Sequence, residues 1–155
     1  MNVGVDLDDE NELYFHGNYG DTEGRYRFFY RNTGHSSLNS LINDHGYSGR
    51  LLNAGYTPFL DGDQKDISLV AGMKGVFGGG EWYYDVSAGY GLNELDYFLN
   101  NTTNHSIGLG GDGEPLQMDF DVGGYEQEEI NFHADFSKEL SDNLNLAIGM
   151  EWREE

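Results

Sequence analysis

The sequence predicts an all-β fold, an antiparallel up-and-down meander of about six strands. Three observations lead there. The run Leu144–Glu155 alternates without a fault, with Leu144, Leu146, Ile148, Met150 and Trp152 on one side and Asn145, Ala147, Gly149, Glu151 and Arg153 on the other. Successive strand side chains point to opposite faces, so this segment has one uncharged apolar face and one polar face. The pattern recurs along the chain, on runs long enough to cross a bilayer. The connections between runs then alternate short, long, short, long, short. Loops beyond about 12–15 residues are uncommon inside compact soluble domains, whereas outer-membrane barrels keep short turns at one end and long loops at the other. That asymmetry makes the meander part of a larger transmembrane β-barrel.

The first run, Asn2–Leu7, puts Val3, Val5 and Leu7 on one face, and the turn Asp8–Asn11 leads into the second, Glu12 to about Asn32. There Leu13, Phe15, Gly17 and Tyr19 alternate with Tyr14, His16 and Asn18. The phase slips between Gly20 and Gly24, after which Tyr26, Phe28 and Tyr30 take the apolar face against Arg25, Arg27 and Arg31. A bulge or a bend at Gly20 or Gly24 is the expected cause. A polar loop, Thr33–Lys65, follows. Ile67, Leu69, Ala71, Met73 and Phe77 mark the third run, Asp66–Phe77, and Gly78-Gly79-Gly80 a tight turn, since glycine takes positive φ cheaply. The return strand sets Trp82, Tyr84, Val86, Ala88, Tyr90 and Leu92 against Asp85, Ser87, Gly89, Gly91 and Asn93. After a second long loop, about Asn100–Gly124, the run Tyr125–Ser137 sets Ile130, Phe132, Ala134 and Phe136 against Asn131, His133 and Asp135. The turn Lys138–Asn143 joins it to the last strand. These runs are expected to pair in sequence order, with no helix longer than a turn or two, because the short turns cannot carry parallel crossovers.

Composition removes several classes of function. With 28 acids against 8 bases, a formal charge of −20, the chain cannot neutralise a run of phosphates, which excludes nucleic acid as a partner. The absence of cysteine excludes disulfides, thiolate zinc sites and a cysteine nucleophile. Mean hydropathy is −0.62, and no stretch approaches the roughly 18 apolar residues of a membrane helix. Barrel strands escape that criterion, because they carry their lipid face in every second residue. The opening segment Met1–Glu10 has no basic region, apolar core or small-residue cleavage site, so an export signal is expected outside the chain. Natural barrels need at least about eight strands to close, so residues 1–155 are expected to form a partial barrel domain.

Alternation divides the candidate functional residues into two sets. Lys74, Asp85, Ser87, Asn93, Asn131, His133, Asp135, Glu151 and Arg153 are expected to face the barrel lumen. Trp82, Tyr84, Val86, Tyr90, Ile130, Phe132, Phe136, Leu144, Leu146, Ile148, Met150 and Trp152 are expected to face lipid, where one charge at mid-bilayer would cost about 2–4 kcal/mol. Trp82, Tyr83, Tyr84, Tyr97, Phe98, Tyr125 and Trp152 cluster towards strand ends, as an interface girdle does. His133 and Asp135, with Asn131 beside them, lie close enough to hold a metal, but a hydrogen-bonded polar pair is the simpler reading. Asp61, Asp63 and Asp66 lack the spacing of a calcium loop and read as a solvated acidic loop. Gly110–Gly113 is followed by no Lys-Ser/Thr pair, so it is not a phosphate loop. No local signature groups Ser, His and Asp as a hydrolase does. No catalytic, metal or cofactor site is expected, and the chain is not read as an enzyme.

The residues also resemble a known family. Asp66–Gly75 (DISLVAGMKG) followed by Trp82–Asn93 (WYYDVSAGYGLN) looks like adjacent barrel strands of TonB-dependent outer-membrane receptors. So do Asn101–Gly108 followed by Phe120–Gly124, and Leu146–Glu154 is similar to the family's LAxGxExRxE strand. Tyr14–Asn18 and Phe28–Arg31 fit the strand pair before these, so the likeness runs in order over nearly the whole chain. It implies part of a transporter wall of about twenty-two strands in the bacterial outer membrane. The partners it implies are outer-membrane lipid, the remainder of the barrel and its plug, TonB through the full-length protein, and a scarce nutrient of the siderophore, cobalamin or oligosaccharide class. Neither a plug domain nor a TonB box lies within the chain. Two other readings stay open: a passive outer-membrane barrel or porin piece, and a soluble β-sandwich or lipocalin-like binding module. The soluble module would need a second apolar layer to pack against.

Overall fold

Six strands form one sheet in the order β1-β2-β3-β4-β5-β6, so each lies beside its neighbours in sequence. The computed structural model describes residues 1–79 and 81–155. Its strands are β1 (Asn2–Asp6), β2 (Asn11–Arg27), β3 (Phe59–Phe77), β4 (Trp82–Asn100), β5 (Phe120–Ser141) and β6 (Leu144–Glu154). Helices α1 (Ser36–His45) and α2 (Leu51–Ala54) lie between β2 and β3, and a 3₁₀ turn, His105–Ile107, lies between β4 and β5. The all-β antiparallel meander is therefore as the alternation predicts.

The chain divides into two compact units. The first contains Met1–Asp21, Lys65–Glu94 and Glu126–Glu155 and is sheet alone. Directly opposed residues of an antiparallel ladder share a face. Val3 opposes Phe15 and Val5 opposes Leu13. Phe132 opposes Trp152, Ala134 opposes Met150 and Phe136 opposes Ile148. Between these, Asn131 meets Arg153, His133 meets Glu151 and Asp135 meets Gly149. Apolar thus pairs with apolar on one face and polar with polar on the other. The apolar face is uncovered: Met150 is 70% exposed, Ile148 57% and Phe132 51%. Among the described residues of this unit there is no second layer of the kind a soluble sandwich requires.

The second unit contains Thr22–Gln64 and Leu95–Tyr125 and holds the buried hydrophobic side chains of the described residues: Leu38, Leu41, Tyr47, Leu51 and Tyr56. α1 starts where His35, in an extended conformation, accepts the Ser37 N–H on Nδ1 at 3.2 Å. It stops at Gly46, whose φ of 67° is the left-handed position that closes a helix and favours glycine. The three-residue step from Leu38 to Leu41 puts both on the inner side of the helix, where Leu52, Leu109 and Met118 pack around the cluster.

Several boundaries differ from the sequence expectation. The segment Thr33–Lys65 is not a plain loop: α1 has ten residues, longer than the turn or two expected, and β3 begins at Phe59 rather than Asp66. β4 continues to Asn100. β5 runs from Phe120 to Ser141 with a register shift between Glu139 and Ser141, leaving Asp142-Asn143 as the turn. β2 ends at Arg27 rather than near Asn32. In the first unit Tyr14 lies against Gly72, Gly17 against Leu69 and Gly20 against Asp66; in the second, Gly24 lies against Gly62 and Arg25 against Asp61. In the glycine turn, Gly78 and Gly79 have φ of 67° and 77°, while Gly80 lies outside the described residues.

Candidate functional faces and the loop cap

The polar face of the first unit is a ladder of hydrogen-bonded side chains. Lys74 pairs with Glu12 at 3.1 Å and holds its ammonium 5.7 Å from the Tyr14 ring centre. The Tyr14 hydroxyl donates to Asp85 at 2.6 Å. Asn93 donates to Asp66, and Asn131 donates to Glu129, which also pairs with Arg153 at 3.0 Å. His133 Nε2 lies 4.0 Å from Glu151. Alternation on β4 puts Ser87 beside Asp85 on this face. Room for these groups comes from glycines: a Cβ at Gly72 would strike Tyr14, at Gly89 Asn131, and at Gly149 Asp135. The nine expected lumen residues thus share one face. Grooves on this unit include one of about 790 Å³ with Glu12, Lys74, Asp85 and Asp135 in its lining and another of about 530 Å³ with Asn18, Asp66, Asn93 and Glu129. The chemistry is that of a hydrated polar lining. No group of three metal-binding side chains occurs among the described residues, and the carboxylate facing His133 across the ladder is Glu151, not Asp135.

The opposite face carries the expected lipid-facing set. At one border Phe77 contacts Trp82, Tyr84 and Phe136 at ring-centre distances of 6.2, 6.0 and 6.4 Å. Lys138, paired with Glu81, lays its ammonium 5.6 Å from the Trp82 ring centre, the behaviour of an amphipathic side chain at an interface. Farther along, Phe132 and Trp152 sit 5.5 Å apart. The other border is a charged row, in which Asp21 follows Tyr19, Lys65 pairs with Glu94 at 3.3 Å, and Glu128 interacts with Tyr90.

Two side-chain braces cross β3, one on each face. Tyr14 of β2 reaches Asp85 of β4 over Gly72. Tyr84 of β4 donates to the Asn11 carboxamide at the start of β2, at 2.8 Å, over Gly75.

In the second unit the two long loops are tied into one cap. Glu114 accepts the Tyr47 hydroxyl at 2.8 Å and the Arg50 N–H at 3.0 Å, and the Tyr47 oxygen accepts the Leu51 N–H at 3.0 Å. Burial pushes the Tyr47 hydroxyl up in pKa, which keeps it a neutral donor. Tyr56 bridges Ser37 and Thr103 at 2.6 and 3.0 Å, and Asn101 donates to the Thr57 carbonyl at 2.8 Å. Asp61 and Asp63 lie on β3 rather than in a loop, as does Asp66 in the first unit. Asp61 is held by Arg25 through two bonds of 2.6 and 2.7 Å and by Asn100 at 2.7 Å. Arg25 holds its carboxyl below the usual range. A depressed carboxylate stabilises the fold above its ordinary pKa and loses that contribution as pH falls through the lowered value. Asp61→Asn is therefore expected to flatten the loss of second-unit stability below about pH 4. A variant with the acid limb of the wild type would show that the pair is not what titrates.

Protein-family models, curated proteins and solved structures give no match to the chain.

What the sequence reading missed lies in the cap: Glu114, Tyr47, Tyr56 and the Arg25–Asp61 pair join segments far apart in sequence. One local signal was present. Leu38, Leu41 and Ile42 follow helical spacing and Gly46 follows them as a stop. Of the expected girdle, Trp82, Tyr84 and Trp152 lie on the apolar face of the first unit, whereas Tyr97 and Tyr125 pair at 6.4 Å within the second.

Proposed function

We propose that this chain is part of the barrel wall of a TonB-dependent outer-membrane receptor, which takes up a scarce nutrient of the siderophore, cobalamin or oligosaccharide class. The observation that carries the reading is the uncharged, uncovered face of the first unit, bordered by ion pairs and aromatics. Ile67–Phe77 and Trp82–Leu92 each have the length a tilted strand needs to cross hydrocarbon, roughly 9–11 residues. A face of that kind suits lipid as its solvent, and the ladder of polar groups behind it suits a water-filled lumen. TonB, the plug and the nutrient enter from the sequence resemblance. The chain's own work is structural, with no bond made or broken.

The test uses Trp82 and Trp152, both on the apolar face. In vesicles of brominated phosphatidylcholine their fluorescence is expected to be quenched, and without lipid or detergent the chain is expected to associate through its uncovered face and the open edges of β1 and β6. A compact monomer in plain buffer with a cooperative melt and no quenching would instead establish a soluble module. Within the full-length protein, nutrient uptake that persists without TonB would favour a passive barrel.

A further inference from the structure

Among the described residues, Tyr97 and Tyr125 form the one ring pair that joins two tyrosines, with ring centres 6.4 Å apart and planes tilted by 55°. Both belong to the second unit, Tyr97 on β4 and Tyr125 on β5. Gly124 lies against Leu95 and Asp96, which makes Tyr125 a diagonal neighbour of Tyr97. At that placement aromatic side chains reach each other across a ladder. Beside Tyr97 stands Gly62, where an added Cβ would sit 3.6 Å from the ring. Tyr26 acts on the Tyr97 hydroxyl as well, without a ring contact. Tyr125 is 57% exposed, so an oxidant in water reaches the pair. The chain has no cysteine whose thiolate would consume that oxidant first.

We infer that Tyr97 and Tyr125 are an oxidative cross-linking site, which a peroxide-driven one-electron oxidant joins as dityrosine. The inference goes beyond the membrane-wall reading and does not depend on it. Each phenol gives up one electron and one proton. The two phenoxyl radicals then form one carbon–carbon bond between their Cε atoms. The hydrogens on those carbons move to the oxygens, which restores both phenols. The two electrons and two protons released reduce one hydrogen peroxide to two waters through a haem peroxidase. An exposed side chain such as Tyr125 changes rotamer within nanoseconds, so torsions alone bring the rings together. The new bond closes residues 98–124 into a covalent loop. That segment carries Thr103 and Glu114, which hold the cap to Tyr56 and Tyr47. Such a link restricts the unfolded chain more than the folded one, as a disulfide does.

The experiment treats the full chain in neutral detergent with hydrogen peroxide and a haem peroxidase, and maps the monomer fraction by mass spectrometry after digestion. The expected product is a peptide pair joined at Tyr97 and Tyr125 that has lost two hydrogens, at least tenfold less abundant when the chain is first unfolded in urea. Y97F and Y125F are each expected to remove at least tenfold of the monomer's dityrosine fluorescence. Y83F is expected to leave it unchanged, since Tyr83 is 56% exposed but lies in the first unit with no ring partner among the described residues. Amide exchange at Thr103 and Glu114 is expected to slow at least tenfold in the cross-linked chain. The wild-type peptide map keeps the test sound if a variant folds poorly. Tyr97 joined to Tyr26 instead, cross-links confined to dimers, or equal yield from the urea-unfolded chain overturns the inference. Unchanged exchange at Thr103 and Glu114 overturns the role of the link in holding the cap.

Discussion

Val86→Arg is expected to reduce the folded, inserted population about 30- to 700-fold. Val86 lies on the apolar face near the middle of the uncharged stretch Trp82–Leu92 of β4 and is 41% exposed. An arginine facing lipid at that depth costs about 2–4 kcal/mol, and about 1.4 kcal/mol is a factor of ten. His133→Arg is the matched control, since it adds the same side chain on the polar face, beside Glu151. It is expected to change stability little, because the new cation gains a carboxylate partner near water. Urea-driven folding into phosphatidylcholine vesicles measures both. Equal losses would remove the distinction between the faces, and a loss confined to His133→Arg would invert it.

Leu38→Ala is expected to cost about 2–5 kcal/mol, the range for emptying a fully buried leucine site. The buried cluster of the second unit has only five members, so one truncation removes a large share of its cohesion. Hydrogen exchange should show protection lost across α1 while amides of the first unit, such as that of Ala134, stay protected. Unchanged protection at α1 would mean that the cap does not depend on this core. Loss at Ala134 as well would mean that the two units unfold together.

Strands were legible wherever one face is apolar and the other polar. Leu144–Trp152 and Trp82–Leu92 show the period of two because their two faces meet different surroundings. Phe59–Lys65 is strand as well, yet it reads as loop. There Asp61 and Asp63 alternate with Leu60, Gly62 and Gln64, so the segment carries no apolar stripe and the hydrophobic signal stops. α1 was hidden by composition, since Ser36–His45 is rich in serine and asparagine, which favour turns and caps over helix interiors. Its stability comes from Leu38 and Leu41 meeting Tyr47, Leu51 and Tyr56, contacts that appear only once the chain has folded back on itself. The polar-face residues were legible as a set; their partners were not, because pairs such as Tyr14 with Asp85 depend on which strand lies beside which.

Those two braces restrict how β2, β3 and β4 can be aligned. Tyr14 crosses β3 where Gly72 leaves space, and the Tyr84–Asn11 bond crosses it where Gly75 does. Sliding β3 by two residues preserves its inside and outside, so alternation alone would tolerate the error. It would, however, bring Val70 or Lys74 beneath Tyr14, and Met73 or Phe77 beneath the second brace. The two glycines act as paired notches on opposite sides of one strand, and a single alignment satisfies both. The alignment of β3 is therefore fixed by the two strands on either side of it together, through bonds that only the correct register lets form.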